Sequence, residues 1–415
     1  MSIRRVILAV AALMALPTLA LAQTSRVEGM SLQGDYIKDY TAIYTYTSCV
    51  TGVGNLVYGE LGNFNGNGTL DRGVGAVLQN LFDGKLGTWS IHLREQTPSL
   101  GQGDAVSHPG ISNGFDPNYN TNESFDLMWG RKFGTTSLGL RVNRSVYKDK
   151  IEPLAPGVAT NFEFDPYSGT GADPNLQRNI TGFGGGLTFE MSANTSADVS
   201  FLYQSRTFVN DNGTGNLKTE NDGPGTYLLA ARAMYQWEPN VVLVPVFKYY
   251  KFDLSTKQNL PTPATFDNSL KGWQAGIAGN WTVGNNDLFV LGATMASNTV
   301  DQKQAVIAGL PADGKGTETI LPQVFCALET HVNNWLTLRF GATKSAYRKI
   351  KIEPTAGGNE EVTDSPFAMN LGAGVKLATL QLDAILDTYF PHTLGYLASG
   401  VSRVYFPKVT ATYSF

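Results

Sequence analysis

The chain has 415 residues, of which 16% are charged and 11% aromatic, with 31 Lys+Arg against 35 Asp+Glu and 45 glycines. A charged fraction well below the usual ~25% and glycine above the usual ~7% argue against helical and coiled-coil folds, and the aromatic content argues against disorder. The net charge of −4 supplies no broad basic field for nucleic acid, and the two cysteines, Cys49 and Cys326, can form one bridge at most, too few for a disulfide scaffold or a zinc site.

Residues 1–22 read as a secretory leader. Arg4 and Arg5 supply the positive region, Val6 to Leu16 the apolar run, and Ala20-Leu21-Ala22 the small-residue cleavage site before Gln23. Residues 23–53 then form a periplasmic lead-in or plug ahead of the main domain, residues 54–415. Beyond Gln23 no run of ~18 apolar residues occurs, so no membrane helix is encoded. The most apolar stretch, Val241 to Phe247, contains Pro245.

What recurs along 54–415 is period-2 alternation closed by turns. Leu138, Leu140 and Val142 oppose Gly139, Arg141 and Asn143; Trp273, Ala275, Ile277 and Trp281 oppose Gln274 and Asn280. Leu336, Leu338, Phe340 and Ala342 oppose Thr337, Arg339 and Gly341, and Leu380, Leu382, Ala384 and Leu386 oppose Gln381 and Asp383. Large apolar groups on one face and polar groups on the other predict strands with lipid outside and a polar interior.

The connections sort by length. Tight turns fall at Phe82–Lys85, Phe133–Thr136, Ser192–Thr195, Glu238–Asn240, Gly284–Asp287, Val332–Asn334 and Ala378–Thr379. Gly/Asn/Pro-rich stretches alternate with them at Gly62–Arg72, Gln96–Asn122, Lys148–Arg178, Phe208–Gly225, Ser255–Leu270, Asp301–Thr317, Arg348–Asp364 and Pro391–Ser402. This alternation predicts an all-β fold, a transmembrane antiparallel barrel of about sixteen strands with fourteen as the alternative. Trp89, Trp237, Trp281 and Trp335 lie near the tight turns, where an interfacial belt would sit.

The chain ends on Tyr405, Val409, Ala411, Tyr413 and Phe415, which share one face. This terminus resembles the closing strand of bacterial outer-membrane barrels. The resemblance implies an outer-membrane location, with Tyr413 and Phe415 as the signal read by the barrel assembly machinery. The run Gly34-Asp35-Tyr36-Ile37-Lys38-Asp39-Tyr40-Thr41-Ala42-Ile43-Tyr44, followed by Asn55-Leu56-Val57-Tyr58-Gly59-Glu60, resembles the start of FadL-like and secretion-associated barrels. In that family a short segment plugs a barrel of typically fourteen strands that passes hydrophobic solutes. The family's Asn-Pro-Ala signature is replaced here by Tyr46-Thr47-Ser48.

Other chemistry finds little support. Asn63 to Asp71 mimics half a calcium loop, but the twelfth position, which needs a bidentate Glu, is Val74; a hairpin loop is the better reading. His92, His108, His331 and His392 are scattered without metal-ligand spacing. Ser90 and His92 share a face with Arg94, a pattern a hydrolase could use, yet no third orienting group is evident. The expectation is a protein that is no enzyme and carries no cofactor or metal.

Charges opposite the apolar positions are the lumen-facing candidates: Arg94, Asp126, Arg141, Arg232, Glu329, Arg339, Asp383 and Asp387, with Asp198, Arg206 and Lys376 beside them. They would either pair across the interior or set a field that orients a solute. The expected function is passive uptake of small solutes, hydrophobic ones included, through a channel or transporter in contact with outer-membrane lipid. A secretion-associated or structural barrel and a general diffusion porin are the alternatives.

Overall fold

A computed structural model describes residues 25–64, 69–79, 81, 84–94, 124–150, 175–211, 218–223, 225–253, 255–259, 264–284, 287–303, 314–354, 358–386 and 406–415. The leader, Asp387, Tyr405, His108 and His392 lie outside this set.

Twenty strands are described: β1 (Leu56–Phe64), β2 (Thr69–Leu78), β3 (Thr88–Arg94), β4 (Ser124–Phe133), β5 (Thr136–Lys150), β6 (Asn175–Ser192), β7 (Thr195–Asp211), β8 (Lys218–Asn221), β9 (Thr226–Glu238), β10 (Val241–Asp253), β11 (Thr256–Asn259), β12 (Ala264–Val283), β13 (Asp287–Lys303), β14 (Gly314–His331), β15 (Leu336–Ser345), β16 (Arg348–Pro354), β17 (Glu360–Asp364), β18 (Phe367–Leu377), β19 (Leu380–Leu386) and β20 (Lys408–Ser414). Sixteen of them form an antiparallel barrel in chain order. The other four, β8, β11, β16 and β17, extend it on one side, with β8 pairing β11 and β16 pairing β17. The barrel closes where β20 pairs with β1, Leu56 opposite Ser414 and Gly62 opposite Lys408. Closure removes the sheet edges of the sixteen-stranded barrel, which a bilayer requires because it offers no partner to an exposed backbone group. The sixteen strands, rather than fourteen, follow from the hairpin count.

The tight turns among the described residues, such as Phe133–Thr136, Ser192–Thr195 and Val332–Asn334, lie on one end. On the other end strands continue into several of the stretches that their composition marks as loops, while 96–122 and 391–402 lie outside the described residues. The first hairpin closes with Phe64 opposite Thr69, so Asp71 belongs to β2 opposite Gly62 and not to an ion-binding loop. Likewise β12 runs for 20 residues, about twice the 9–11 a membrane strand needs. Outside the bilayer neither face has to be apolar, so Asn, Thr and Lys-rich segments keep the ladder without showing alternation.

The exterior follows the alternation. Leu338, Phe340, Leu140, Val142, Ile277 and Leu291 are exposed, while their neighbours Arg339, Arg141 and Asn143 are buried. An exposed apolar surface of this extent on a closed barrel is a lipid-facing surface, and the protein is an outer-membrane barrel. Near the tight turns Trp237 and Trp335 are exposed, and the Trp89 and Trp129 indoles donate to the Leu86 carbonyl at 3.1 and 2.7 Å. The terminal Tyr413 and Phe415 rings stack at 6.0 Å on the same exterior.

The interior is not uniformly polar. Residues 25–53 run inside the barrel as one helical turn, Ser25–Gly29, and three 3-10 turns, Gly34–Tyr36, Tyr40–Tyr44 and Thr47–Gly52. Val27, Met30, Tyr36 and Ile37 pack against Val244, Val246, Ala278, Val290 and Phe325 of the wall. That is why β10 is apolar on both faces. Its Pro245 faces outward where β9 supplies no ladder partner, the position a residue without an N–H tolerates.

Candidate functional site

The segment inside the barrel is seated by close backbone contact and by charge. A Cβ on Gly341 would lie 1.6 Å from the Met30 carbonyl oxygen, and one on Gly139 would lie 2.3 Å from the Ser48 nitrogen. These glycines stand on opposite walls, so the segment spans the interior from one to the other. Each apolar side chain buried there adds roughly 1.5–3 kcal/mol.

The candidate charges fall into three groups around this plug. In the first, Arg339 Nε donates to Glu329 at 2.6 Å and Arg339 Nη1 to Asp383 at 2.6 Å. Arg26 of the plug bridges Glu329 at 2.8 Å and Asp39 at 2.6 Å. Nearby, Lys408 meets Glu60 at 2.7 Å and the plug's Glu28 at 2.8 Å. In the second group, Arg141 holds Asp126 at 2.6 Å with both side chains fully buried, and its Nη1 donates to the Tyr44 carbonyl at 2.8 Å. The His92 Nδ1 lies 2.9 Å from both the Tyr44 and the Tyr58 hydroxyls, and the Arg94 guanidinium stacks 4.2 Å over the Tyr44 ring. Ser90 Oγ has no hydrogen-bond partner, so the Ser–His arrangement the sequence allows is not assembled; His92 is part of a tyrosine cluster instead.

In the third group, Arg232 Nε donates to Asp198 at 2.7 Å and Nη1 to the Asp35 carbonyl at 3.0 Å. Its Nη2 lies 3.4 Å from Cys49 Sγ, and its guanidinium covers the Tyr46 ring at 4.4 Å. Lys248 pairs with Asp35, both fully buried. Burial pushes the Cys49 thiol up to about 11, against the opposite pull of Arg232. Cys49 and Cys326 are both free. Among the described residues no group of three or more His, Cys, Asp or Glu could hold a metal.

The structure therefore brings together Arg339, Glu329 and Asp383, pairs Asp126 with Arg141 and Asp198 with Arg232, and keeps Arg206 buried in the wall. Lys376 is exposed at the tight-turn end, and Asp387 lies outside the described residues. Sequence reasoning missed Glu60, Lys248 and Lys408, although each sits opposite exposed residues by alternation, and the plug charges Arg26, Glu28, Asp35 and Asp39, which carry no periodic signal.

Among the described residues, a packed apolar layer and two cavities flank these groups. On the long-connection side of the plug, Leu202, Leu228, Tyr250, Phe252, Leu270, Val300, Ile350 and Ile352 form an apolar layer with the plug's Ala42 and Tyr46. On the tight-turn side, a cavity of about 630 Å³ is lined by Arg26, Asp39, Tyr40, Arg339, Asp383 and Lys376. A second, of about 580 Å³, is lined by Cys49, Asp198, Arg232, Met234 and Asn280. Asp39 and Tyr40 border both.

No family model matches the chain, and no curated protein matches it. Among solved structures it is similar to the toluene transporter TodX of Pseudomonas putida, at 10% identity and a TM-score of 0.37, covering 94% of this chain and 96% of that one. The CymD monoaromatic hydrocarbon channel shows 9% identity and a TM-score of 0.38, over 95% of this chain and 98% of that one. FpvA of P. aeruginosa, solved with bound pyoverdines, shows 11% identity and a TM-score of 0.42; 71% of this chain matches and spans 46% of that one.

Proposed function

We propose that the protein is a passive outer-membrane channel or transporter for small solutes, hydrophobic ones included. The observation that carries this reading is the interior itself: a plug divides an apolar layer on one side from two open cavities on the other, one mainly polar and one of mixed lining that includes Met234 and Val242. A wide diffusion pore would be water-filled and lined by charges that stay hydrated. Here the interior charges are consumed by pairing with one another and with the plug, which speaks against the general porin. Side chains of such a layer would favour an apolar solute over a polar one by roughly 25 cal/mol for each Å² of apolar surface taken from water. The protein would act without catalysis and without a cofactor, inserted by the barrel assembly machinery through Tyr413 and Phe415.

The test is uptake by the reconstituted protein of toluene and oleate beside glucose and glycine. The reading expects saturable uptake of the apolar compounds and little of the polar ones. Rapid uptake of glucose and glycine with no preference would support the porin, and no uptake of any would support a structural or secretion-associated role.

A further inference from the structure

Two neighbouring wall strands connect the apolar layer to one of the two cavities and not to the other. Interior positions of β9 run Leu228, Ala230, Arg232, Met234, and those of β7 run Leu202, Ser200, Asp198, Ser196; the two series are paired, with Leu202 opposite Leu228 and Asp198 opposite Arg232. Leu228, Ala230 and Leu202 belong to the apolar layer. Asp198, Arg232, Met234 and Ser196 line the 580 Å³ cavity. Cys49 belongs to both, packing against the layer and lining the cavity. No residue of the layer lines the 630 Å³ cavity, whose inner boundary is the Arg26–Glu329–Arg339–Asp383 network.

From this geometry we infer that Arg232, clamped by Asp198 and stacked on Tyr46, is the gate through which the solute passes from the apolar layer into the 580 Å³ cavity beside a plug that stays seated. This inference rests on the transport reading above. The guanidinium fills the junction of wall and plug, its side chain 3% exposed. It touches Tyr46 and Cys49 on the plug and Asp198 on the wall. Its flat, weakly hydrated face suits an aromatic neighbour, so an aromatic or unsaturated solute can replace the Tyr46 ring against it. A saturated chain lacks that exchange. The gate thereby favours aromatic over saturated apolar solutes of equal size.

The experiment uses the full chain in planar bilayers and proteoliposomes. Asp198→Ala/Arg232→Ala removes both members of the pair, so no buried charge is stranded, and Tyr46→Ala opens the same gap with the ion pair intact. Both are expected to fold, judged by heat-modifiable gel mobility, and to raise KCl conductance severalfold. Tyr46→Ala is also expected to erase the preference for toluene over methylcyclohexane. In the double variant with its own cysteines replaced by serine, a bulky thiosulfonate on Ser196→Cys should block the conductance, whereas the same reagent on Thr412→Cys in the other cavity should not. Unchanged conductance in both folded gap variants, or block from Thr412→Cys alone, would overturn the gate. Raised conductance in the variants of a protein whose parent takes up no solute would leave the gate as a pore and remove the transport reading instead.

Discussion

Single residues set the inside and outside of this barrel, and β15 shows it most clearly. Leu338 and Phe340 are exposed while Arg339 between them is 3% exposed, bonded to carboxylates on β14 and β19. A charge facing lipid near the midplane costs about 2–4 kcal/mol, so Leu338→Arg is expected to lower the yield of folded protein. Removing one member of a buried pair costs roughly 3–5 kcal/mol, and Arg339→Ala leaves Asp383 without that partner. Its urea midpoint in detergent is expected to fall clearly, with the sheet retained; a silent Arg339→Ala beside a well-folded Leu338→Arg would invert the face assignment. Glycine gives a second contrast. Gly341→Ala drives a methyl into the Met30 carbonyl, whereas Gly59→Ala meets nothing within 4 Å. Hydrogen exchange of residues 25–53 should therefore speed up in Gly341→Ala and stay unchanged in Gly59→Ala.

At the scale of elements, strands were legible in the sequence where lipid forces alternation. Leu138 to Asn143 and Leu336 to Ala342 lie in strands in the register their pattern requires. The tight turns were legible as well, since their short polar breaks interrupt long periodic runs. Extensions beyond the bilayer were not, because no lipid-facing apolar series marks them: β16 and β17 carry Lys349, which pairs with Glu361 at 2.8 Å across the hairpin, and the alternate residues Ile350 and Ile352 of β16 turn to the interior. The plug's position was not legible either. Its contacts join residues hundreds of positions apart, such as Arg26 with Glu329, and no local pattern marks them. Two outcomes follow at this scale. If the extended end faces outward from the cell, a cysteine at Lys349 should react with a membrane-impermeant thiol reagent on intact cells and one at Asn194, in a tight turn, should not; the reverse labelling would turn the barrel over. Phe415, whose amide donates to the Asn55 carbonyl at 3.3 Å, lies exposed beside the closure of β20 on β1. Its deletion should reduce folded protein in the outer membrane while export across the inner membrane continues, and an undiminished folded amount would separate Phe415 from assembly.

For the whole molecule, the consequence of closure is that barrel and plug share one interior. The wall supplies glycines where the plug backbone approaches, apolar residues where Val27, Met30 and Ile37 pack, and opposite charge where Arg26, Glu28 and Asp35 arrive. Such matching at every side of the segment describes a part of the fold, and leaves passage to the gap beside it. The most direct measurement is a cross-link between the start of the plug and the last strand. Ser25 Oγ lies 3.0 Å from Thr410 Oγ1, so Ser25→Cys/Thr410→Cys, in a chain otherwise free of cysteine, should oxidise to a disulfide in the native outer membrane, detectable as altered mobility that reductant reverses. A pair that stays reduced, with the cysteine at position 25 freely labelled by bulky reagents, would place the segment outside the barrel and contradict the account.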